Sequence, residues 1–206
     1  MISIALPKGR LGDKVYALFS SVGYDCSGLS DESRKLVFED EHAGVRYLFV
    51  KPMDVAVYVE RGAADVGVVG RDILLETEPD VYELLDLGLG RCKLAVAAPA
   101  GFVDDFGAVL RVATKYPHVT QRHYQKLERD IEIIKLNGSI ELAPILGLSD
   151  VIVDIVETGT TLRENNLKVY NCIAQSSAQI IANKRSYNFR QKEITRLVDA
   201  ITEATT

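Results

Sequence analysis

The chain has 206 residues, of which 47% are hydrophobic, enough to bury one large core or two smaller ones. Lysine and arginine number 24 against 29 acidic residues, and the formal net charge of -5 argues against a nucleic-acid partner. A small phosphorylated ligand stays possible, because its site needs only local positive charge and well-placed backbone N–H groups.

The cysteines and the N-terminal segment argue for a reducing compartment. Cys26, Cys92 and Cys172 are far apart and form no C-x-x-C pair, so we predict neither a disulfide framework nor a zinc site. The three histidines show no metal-ligand spacing. The first residues lack the features of a signal peptide, and no apolar run approaches the ~20 residues that span a bilayer. We therefore expect a soluble cytoplasmic protein with no membrane partner.

Short apolar runs alternate with segments of helical period, which is typical of an α/β protein with largely parallel sheets. Residues 2–6 are predicted as a strand, residues 7–10 as a turn and residues 11–22 as an amphipathic helix that ends at Gly23. A second helix is predicted from Pro52 to Gly62. The further predicted strands are residues 65–69, 94–98, 109–114, 131–136, 151–156 and 169–174. This number of strands suits two small α/β lobes.

The end of the chain carries one more helix with an apolar stripe at Ile194, Leu197, Val198 and Ile201. No low-complexity or Pro/Gly/Ser-rich linker separates the lobes, so a crossing between them must use ordered strands near residues 94 and 173.

The most informative segment runs from Asp150 to Leu162, where an apolar strand leads through Asp154 and Glu157 into the loop Thr158-Gly159-Thr160-Thr161. A glycine lets the backbone fold around an anion, while hydroxyls and the N–H groups of a following helix donate to it. A neighbouring carboxylate accepts hydrogen bonds from ribose hydroxyls. The pattern favours a cradle for a ribose 5-phosphate over the alternative, a plain connection in which Thr158 caps a helix.

Other charged or small residues stand where predicted strands end, which is where ligands gather in parallel sheets. For each of them an ordinary turn, a solvated charge or, at Ser139, a helix N-cap is the alternative. These candidates are Lys8, Gly9 and Arg10; Arg34; Arg71 and Asp72; Arg91; Lys115 and Tyr116; and Gly138 and Ser139.

Five segments together, in this order, resemble the ATP phosphoribosyltransferase family, and the resemblance covers nearly the whole chain. They are Leu6-Pro7-Lys8-Gly9-Arg10, Gly67-Val-Val-Gly70-Arg71-Asp72, Leu87-Gly-Leu-Gly90-Arg91-Cys92, Ala113-Thr-Lys-Tyr-Pro117 and Val153-Asp154-Ile-Val-Glu157-Thr-Gly-Thr-Thr161-Leu162.

The resemblance implies a two-lobed fold like that of type II periplasmic binding proteins, with the active site in the cleft between the lobes. Lobe 1 would comprise residues 1–92 and 176–206, and lobe 2 residues 93–175. The implied reaction transfers the phosphoribosyl group of phosphoribosyl pyrophosphate (PRPP) to N1 of the adenine of ATP, with release of pyrophosphate, as the first step of histidine biosynthesis.

The chain stops where long-form members continue into a regulatory domain, so it resembles the short form. Short-form members work in a hetero-octamer with a catalytically inactive relative of histidyl-tRNA synthetase. We therefore expect no C-terminal regulatory domain and a regulatory partner of this kind.

By the same resemblance, Arg10, Arg34 and Arg71 would be catalytic, and Mg²⁺ would be held mainly by substrate phosphates rather than by protein ligands. The expected substrate-binding residues are Lys8, Gly9, Asp72, Arg91, Lys115, Tyr116, Gly138, Ser139, Asp154, Glu157, Thr158, Gly159, Thr160 and Thr161. Two alternatives stay open, a solute-binding module of the same fold and a purine salvage phosphoribosyltransferase. The separation of Asp154 from Glu157 argues against the second, because salvage enzymes usually carry adjacent acidic residues there.

Overall fold

The structure, a computed structural model, describes residues 1–29 and 34–205. The chain divides into two compact units. The first comprises Met1–Leu74, Glu78–Gly90 and Ser177–Thr206, and the second comprises Leu75–Thr77 and Arg91–Ser176. Each unit contains one sheet, so the predicted two-lobed α/β architecture is confirmed.

The first unit is built on a six-stranded sheet of order β2-β3-β1-β4-β11-β5. Its elements are β1 (Ile2–Pro7), α1 (Arg10–Ser21), β2 (Val37–Asp40), β3 (Val45–Val50), α2 (Val55–Glu60), β4 (Val66–Gly70), α3 (Arg71–Thr77), β5 (Val81–Asp86), β11 (Ala178–Asn183), α7 (Lys184–Phe189) and α8 (Gln191–Thr205). A 3₁₀ turn, Pro52–Asp54, precedes α2. The last three residues of α3 fall in the second unit.

Two layers of apolar side chains cover the faces of this sheet. On one face, Ile4 and Leu6 of β1 pack with Val15 and Phe19 of the first helix. On the other face, Ala5 of the same strand packs with Val55 of α2 and with neighbouring side chains. The strand is buried on both faces because helices cover both, and this explains the continuous apolar run from Ile4 to Pro7.

The C-terminal helix α8 confirms the stripe expected from its sequence. Ile194, Leu197 and Ile201 are fully buried in the core of the first unit, while most of the other residues of the helix are exposed. Across the part of the chain that the structure describes, no helix combines the length and the apolar character needed to cross a membrane.

The second unit is built on a five-stranded sheet of order β10-β6-β9-β7-β8. Its elements are β6 (Cys92–Pro99), β7 (Leu110–Thr114), α4 (Pro117–Lys126), β8 (Ile131–Lys135), α5 (Leu142–Ile145), β9 (Val151–Val156), α6 (Thr160–Glu164) and β10 (Leu167–Ser176). Strand β7 runs parallel to both of its neighbours, β8 and β9. The carboxyl ends of these three strands therefore share one edge of the sheet.

Both sheets are mixed, so the expectation of largely parallel sheets is wrong. Strands β2 and β11 run antiparallel to their neighbours in the first sheet, and β6 and β10 do so in the second. Apolar periodicity shows that a strand is buried, but it does not show the direction in which the strand runs.

Candidate functional site

The threonine loop follows β9, as predicted. Gly159 has a positive φ of 72° and precedes α6, which begins at Thr160. The hydroxyl oxygens of Thr158 and Thr160 lie 3.1 Å apart and are exposed. Thr161 is exposed as well. Gly159 is the N-cap residue of α6, and the hydroxyl oxygen of Thr158 accepts a hydrogen bond of 3.4 Å from the backbone N–H of Thr160, so Thr158 also makes a capping contact with the start of the helix. The loop thus presents three hydroxyl groups around one glycine.

Arg163 stabilises this loop, although it was not among the residues predicted from the sequence. Its guanidinium donates to the carbonyl oxygen of Thr158 and to the hydroxyl oxygen of Thr160, each over 3.0 Å. A cation three residues after Thr160 on a helix is the signal that could have identified it, because residues at i and i+3 lie on one helical face.

The two predicted carboxylates lie beside this loop. Asp154 is half-buried within β9, and its Oδ1 accepts a hydrogen bond of 2.8 Å from the backbone N–H of Ile155. Glu157 is exposed, directly after the strand ends. The acidic groups and the hydroxyls therefore stand together in the stretch from Asp154 to Thr161.

The same sheet edge receives the other candidates of the second unit. Lys115 follows β7, and Gly138 and Ser139 follow β8. Arg91 precedes β6, which starts at this edge because Lys93 pairs with Val156 at the end of β9. Four chain segments thus bring hydroxyl, amide and cationic groups to one edge.

Two of the predicted substrate-binding residues, Tyr116 and Ser139, have a burial or a backbone conformation that the sequence did not predict. The ring of Tyr116 is buried, with 2% of the residue exposed, in the hydrophobic core that includes Val112 and Val153. Ser139 adopts a positive φ of 50°, and the following helix has Glu141 as its N-cap, so the N-cap alternative for Ser139 is wrong.

In the first unit, the segment Lys8 to Arg10 follows β1 and opens α1. Gly9 has a φ of 84°, which L-residues rarely adopt. The backbone N–H of Lys8 donates to Val50 over 2.9 Å, and its Nζ lies 4.7 Å from the ring centroid of Phe49. The strand end and an aromatic ring hold Lys8, while the side chain of Arg10 is exposed.

Tyr16 supports the same segment from inside the protein. Its buried hydroxyl donates to the carbonyl oxygen of Pro7, which directly precedes Lys8. This tyrosine was not predicted as a site residue, because helical periodicity places it within α1 but does not show which backbone group its hydroxyl contacts.

Arg71 and Asp72 open the helix α3 directly after β4, so the ordinary turn that was the alternative at this strand end is not present. Arg71 is exposed, whereas Asp72 is 7% exposed. A Cβ on Gly70 would overlap with Oδ1 of Asp72, so the carboxylate folds back over this glycine. Because β4 runs parallel to β1, these residues share the sheet edge of Lys8.

Arg34 is exposed and lies three residues before β2. Strand β2 begins opposite Leu48, near the carboxyl end of β3, and β3 runs parallel to β1. The chain around Arg34 therefore leads to the same edge as the segment that starts at Lys8. All the candidates of the first unit belong to this edge.

Comparison with known proteins assigns the family. The profile described as HisG: ATP phosphoribosyltransferase matches residues 51–203. An ATP phosphoribosyltransferase of Brachyspira hyodysenteriae is 57% identical over 204 residues, which cover 98% of this chain and 99% of the relative. One of Caldanaerobacter subterraneus is 51% identical over 198 residues, which cover 96% and 94%.

This chain belongs to the ATP phosphoribosyltransferase family.

A solved ATP phosphoribosyltransferase agrees with this in three dimensions. The structure of the ATP phosphoribosyl transferase (HisG:HisZ) complex from Thermotoga maritima matches with a TM-score of 0.88 and 34% identity, over 100% of this chain and 98% of the matched chain. The transferase activity in the first step of histidine biosynthesis, predicted from sequence, is confirmed. The solute-binding and purine-salvage alternatives are therefore set aside.

The two units differ in the candidate residues that they carry. The sheet edge of the second unit combines hydroxyls, small residues, two carboxylates and the cations Lys115 and Arg91. The sheet edge of the first unit carries mostly cations.

Proposed function

We propose that the loop from Thr158 to Thr161 binds the 5-phosphate of PRPP and that Asp154 and Glu157 accept hydrogen bonds from its ribose hydroxyls. One observation carries this proposal: the exposed hydroxyls of Thr158 and Thr160 converge to 3.1 Å around a glycine of positive φ. Hydroxyl and N–H donors that converge in this way suit the oxygens of a phosphate. Arg163 holds the loop in this shape and adds positive charge beside it.

The cations are proposed to divide between the pyrophosphate of PRPP and the phosphates of ATP. In this proposal Arg10, Arg34 and Arg71 stabilise the charge that develops on the leaving pyrophosphate, which makes them catalytic. A preorganised donor of this kind is worth about 3 kcal/mol of transition-state stabilisation. The proposed binding residues that complete the set are Lys8, Gly9, Asp72, Arg91, Lys115, Tyr116, Gly138 and Ser139.

The proposed chemical step is a direct displacement. A bond forms between N1 of adenine and C1 of the ribose, while the bond between C1 and the pyrophosphate oxygen breaks, and both of its electrons leave with pyrophosphate. Attack from the opposite face inverts the configuration at C1. The protein's task is to align the two substrates, and alignment alone can supply a large part of the rate enhancement.

The carboxylates beside the threonine loop suit a magnesium ion that is bound to the substrate phosphates. Mg²⁺ usually binds one or two protein carboxylates together with substrate phosphates and water. Asp154 and Glu157 offer such carboxylates, and no cluster of three metal-ligating side chains occurs within the described residues. When bound, the ion would neutralise charge on the pyrophosphate.

Substitution of Thr160 tests the proposed phosphate site. Thr160→Val keeps the shape of the side chain and removes its hydroxyl, so we expect the Kd for PRPP in the presence of Mg²⁺ to rise about tenfold, as for a lost hydrogen bond to a charged group. The Kd for ATP should stay unchanged. Thr195→Val, on the exposed surface of α8, is the matched control. Unchanged PRPP affinity in Thr160→Val, measured by calorimetric titration, would contradict the assignment.

We further propose that the chain assembles with a HisZ subunit, the histidyl-tRNA-synthetase-like regulatory partner implied by the sequence. The support is the 34% identity and TM-score of 0.88 to the chain from the HisG:HisZ complex of Thermotoga maritima. Size-exclusion chromatography with light scattering on the co-expressed chains should give a mass near that of a hetero-octamer. Elution of this chain without HisZ would refute the proposal.

We propose a cytoplasmic location, and the cysteines support it. Cys26, Cys92 and Cys172 form no disulfide bond, and Cys172 is exposed. Free thiols of this kind persist in a reducing compartment. Fractionation of cells that produce a tagged chain tests the location, and recovery outside the cytosolic fraction would contradict it.

A further inference from the structure

The hydroxyl of Thr114 lies at a junction between three segments of the second unit. Thr114 is the last residue of β7 and is completely buried. Its hydroxyl donates to the carbonyl oxygen of Val153 over 2.7 Å and accepts from the backbone N–H of Tyr116 over 2.9 Å. The hydroxyl of Thr120 donates to it over 3.3 Å. One buried oxygen therefore makes three hydrogen bonds.

These bonds connect segments that carry proposed substrate contacts. Tyr116 belongs to the loop after β7, and Val153 directly precedes Asp154. The carbonyl oxygen of Thr114 in turn accepts from the N–H of Leu136, two residues before Gly138. Thr114 is thus bonded to the chain that leads into each of the three loops after β7, β8 and β9.

The hydrogen bond from Thr114 to Val153 lies where the pairing between β7 and β9 ends. Thr114 and Val153 form the last register pair between β7 and β9. After this pair the chain leaves β7 for its loop, whereas β9 continues to Val156 and pairs there with β6 only. The side-chain bond from Thr114 therefore adds a constraint where the backbone pairing between β7 and β9 ends.

Packing alone does not explain a threonine at this position. Valine has nearly the same shape and would fill the same space beside Val112 and Val153 without burying a polar group. A buried hydroxyl is favourable only when it is hydrogen-bonded, and here its donor and acceptor capacity is in use. The hydroxyl therefore contributes connections between loops rather than volume.

We propose that Thr114 is a positioning residue for PRPP: its hydroxyl sets the spacing between the Lys115 segment and the stretch from Asp154 to Thr161. The proposal rests on the PRPP site proposed above. Thr114 does not touch substrate and acts through the two loops that it joins. Since small displacements of substrate-positioning groups can cost up to about 100-fold in rate, we expect loss of the hydroxyl to be measurable in turnover.

Steady-state kinetics of four variants test this role. Thr114→Val should lower kcat/KM for PRPP at least tenfold, while the KM for ATP changes less than threefold. Thr114→Ser, which keeps the hydroxyl, should recover most of the activity. Thr120→Val is the matched control: it removes only the donor into Thr114, so its effect should stay within threefold. Thr160→Val reports separately on the proposed phosphate loop.

The outcomes separate the two proposals. If Thr160→Val weakens the use of PRPP but Thr114→Val behaves like the wild type, the positioning role is wrong and the PRPP site stands. If Thr160→Val also leaves the PRPP kinetics unchanged, the proposed site itself fails. An equal loss in Thr114→Ser and Thr114→Val would likewise overturn the role of the hydroxyl.

A folding defect is handled by a second substitution. Thermal unfolding of each variant is measured first, and Thr114→Ala replaces the valine variant if that variant does not fold. A folded alanine variant with the PRPP-specific loss supports the proposal. Failure of both hydroxyl-free variants to fold would show that the bond serves the whole unit, which overturns a specific positioning role.

Discussion

Gly70 offers a way to move the Asp72 carboxylate without altering its chemistry. Gly70 has φ -68° and ψ 140°, values that alanine adopts without strain. A Cβ at this position would overlap with Oδ1 of Asp72 and lie 3.3 Å from its Cγ. Gly70→Ala therefore forces the carboxylate of Asp72 out of its observed position and leaves the backbone conformation available.

We expect Gly70→Ala to lower kcat/KM and to leave the stability of the fold almost unchanged. Restriction of the unfolded chain by alanine stabilises a protein by about 0.4–1 kcal/mol, which offsets part of the cost of moving Asp72. If Asp72 makes a charge-assisted hydrogen bond to substrate worth about 2 kcal/mol, its loss lowers kcat/KM about 30-fold. A net stability change within about 1 kcal/mol shifts Tm by no more than about 4 °C for a chain of this size.

Gly67, on the same strand, is the control, because its replacement should lower stability and leave catalysis unchanged. A Cβ there would lie 2.7 Å from a methyl group of Val59 and 2.8 Å from one of Val55, both in the core. Gly67→Ala should therefore lower stability by about 2 kcal/mol through overpacking. Its folded fraction should keep a kcat/KM close to that of the wild type.

The assay follows phosphoribosyl-ATP formation for the wild type, Gly70→Ala, Asp72→Asn and the double variant. Because both substitutions act on one carboxylate, the double variant should be no worse than Asp72→Asn alone. Wild-type kinetics in Gly70→Ala, with Tm also unchanged, would contradict the expected displacement of the Asp72 carboxylate and its effect on catalysis. Fully additive losses would show that Gly70 acts through something other than Asp72.

The remaining predictions concern thiols, pH and capping. At pH 8 a thiol reagent should label the exposed Cys172 quickly and Cys26 slowly, because burial raises the pKa of the Cys26 thiol to about 11; peptide mass spectrometry reads this, and equal rates would contradict it. Burial, helped by Lys126, lowers the pKa of His123, so the neutral form is favoured in the folded state. The stability that this preference contributes is fully present above about pH 6.5 and is lost as the pH falls through the lower folded-state pKa of His123. Urea unfolding between pH 5 and 8 should therefore give a smaller free energy of unfolding at the acidic end, and His123→Gln should flatten this dependence on pH. The buried carboxylate of Glu76 accepts the first N–H groups of α4 over 3.0 Å, so Glu76→Gln should cost about 1–3 kcal/mol in denaturant unfolding, and an unchanged midpoint would refute the capping role.

The elements with strong apolar patterns could be predicted from sequence. The strand at residues 151–156 and the stripe of α8 are correct because burial on one or both faces leaves a clear pattern. Four strands were not predicted: β2, β3, β5 and β11. The residues of β5 are only partly buried or exposed, so this strand lacks a clear alternation of apolar and polar residues. Strand β11 is a short apolar run, which periodicity alone cannot distinguish from a helical segment.

The sequence predicted the positions of the candidate residues at strand ends better than it predicted their contacts. Candidates such as Lys115 and Thr158 were placed at the ends of strands, and the parallel strands indeed bring them to one edge. Contacts between residues distant in sequence were not accessible: no local pattern shows that the hydroxyl of Thr114 bonds to Val153, 39 residues further along the chain. The burial of Tyr116 is equally non-local, since its core is assembled from several strands and a helix.

The most direct test of the account is product formation by the purified chain supplied with ATP, PRPP, Mg²⁺ and inorganic pyrophosphatase, with and without HisZ. Absorbance should report phosphoribosyl-ATP, and each product molecule should be accompanied by two phosphate ions, because the pyrophosphatase hydrolyses the one pyrophosphate that is released. We expect this product with ATP and none when free adenine replaces it. A folded chain that forms no product under either condition, or that uses free adenine instead of ATP, would contradict it.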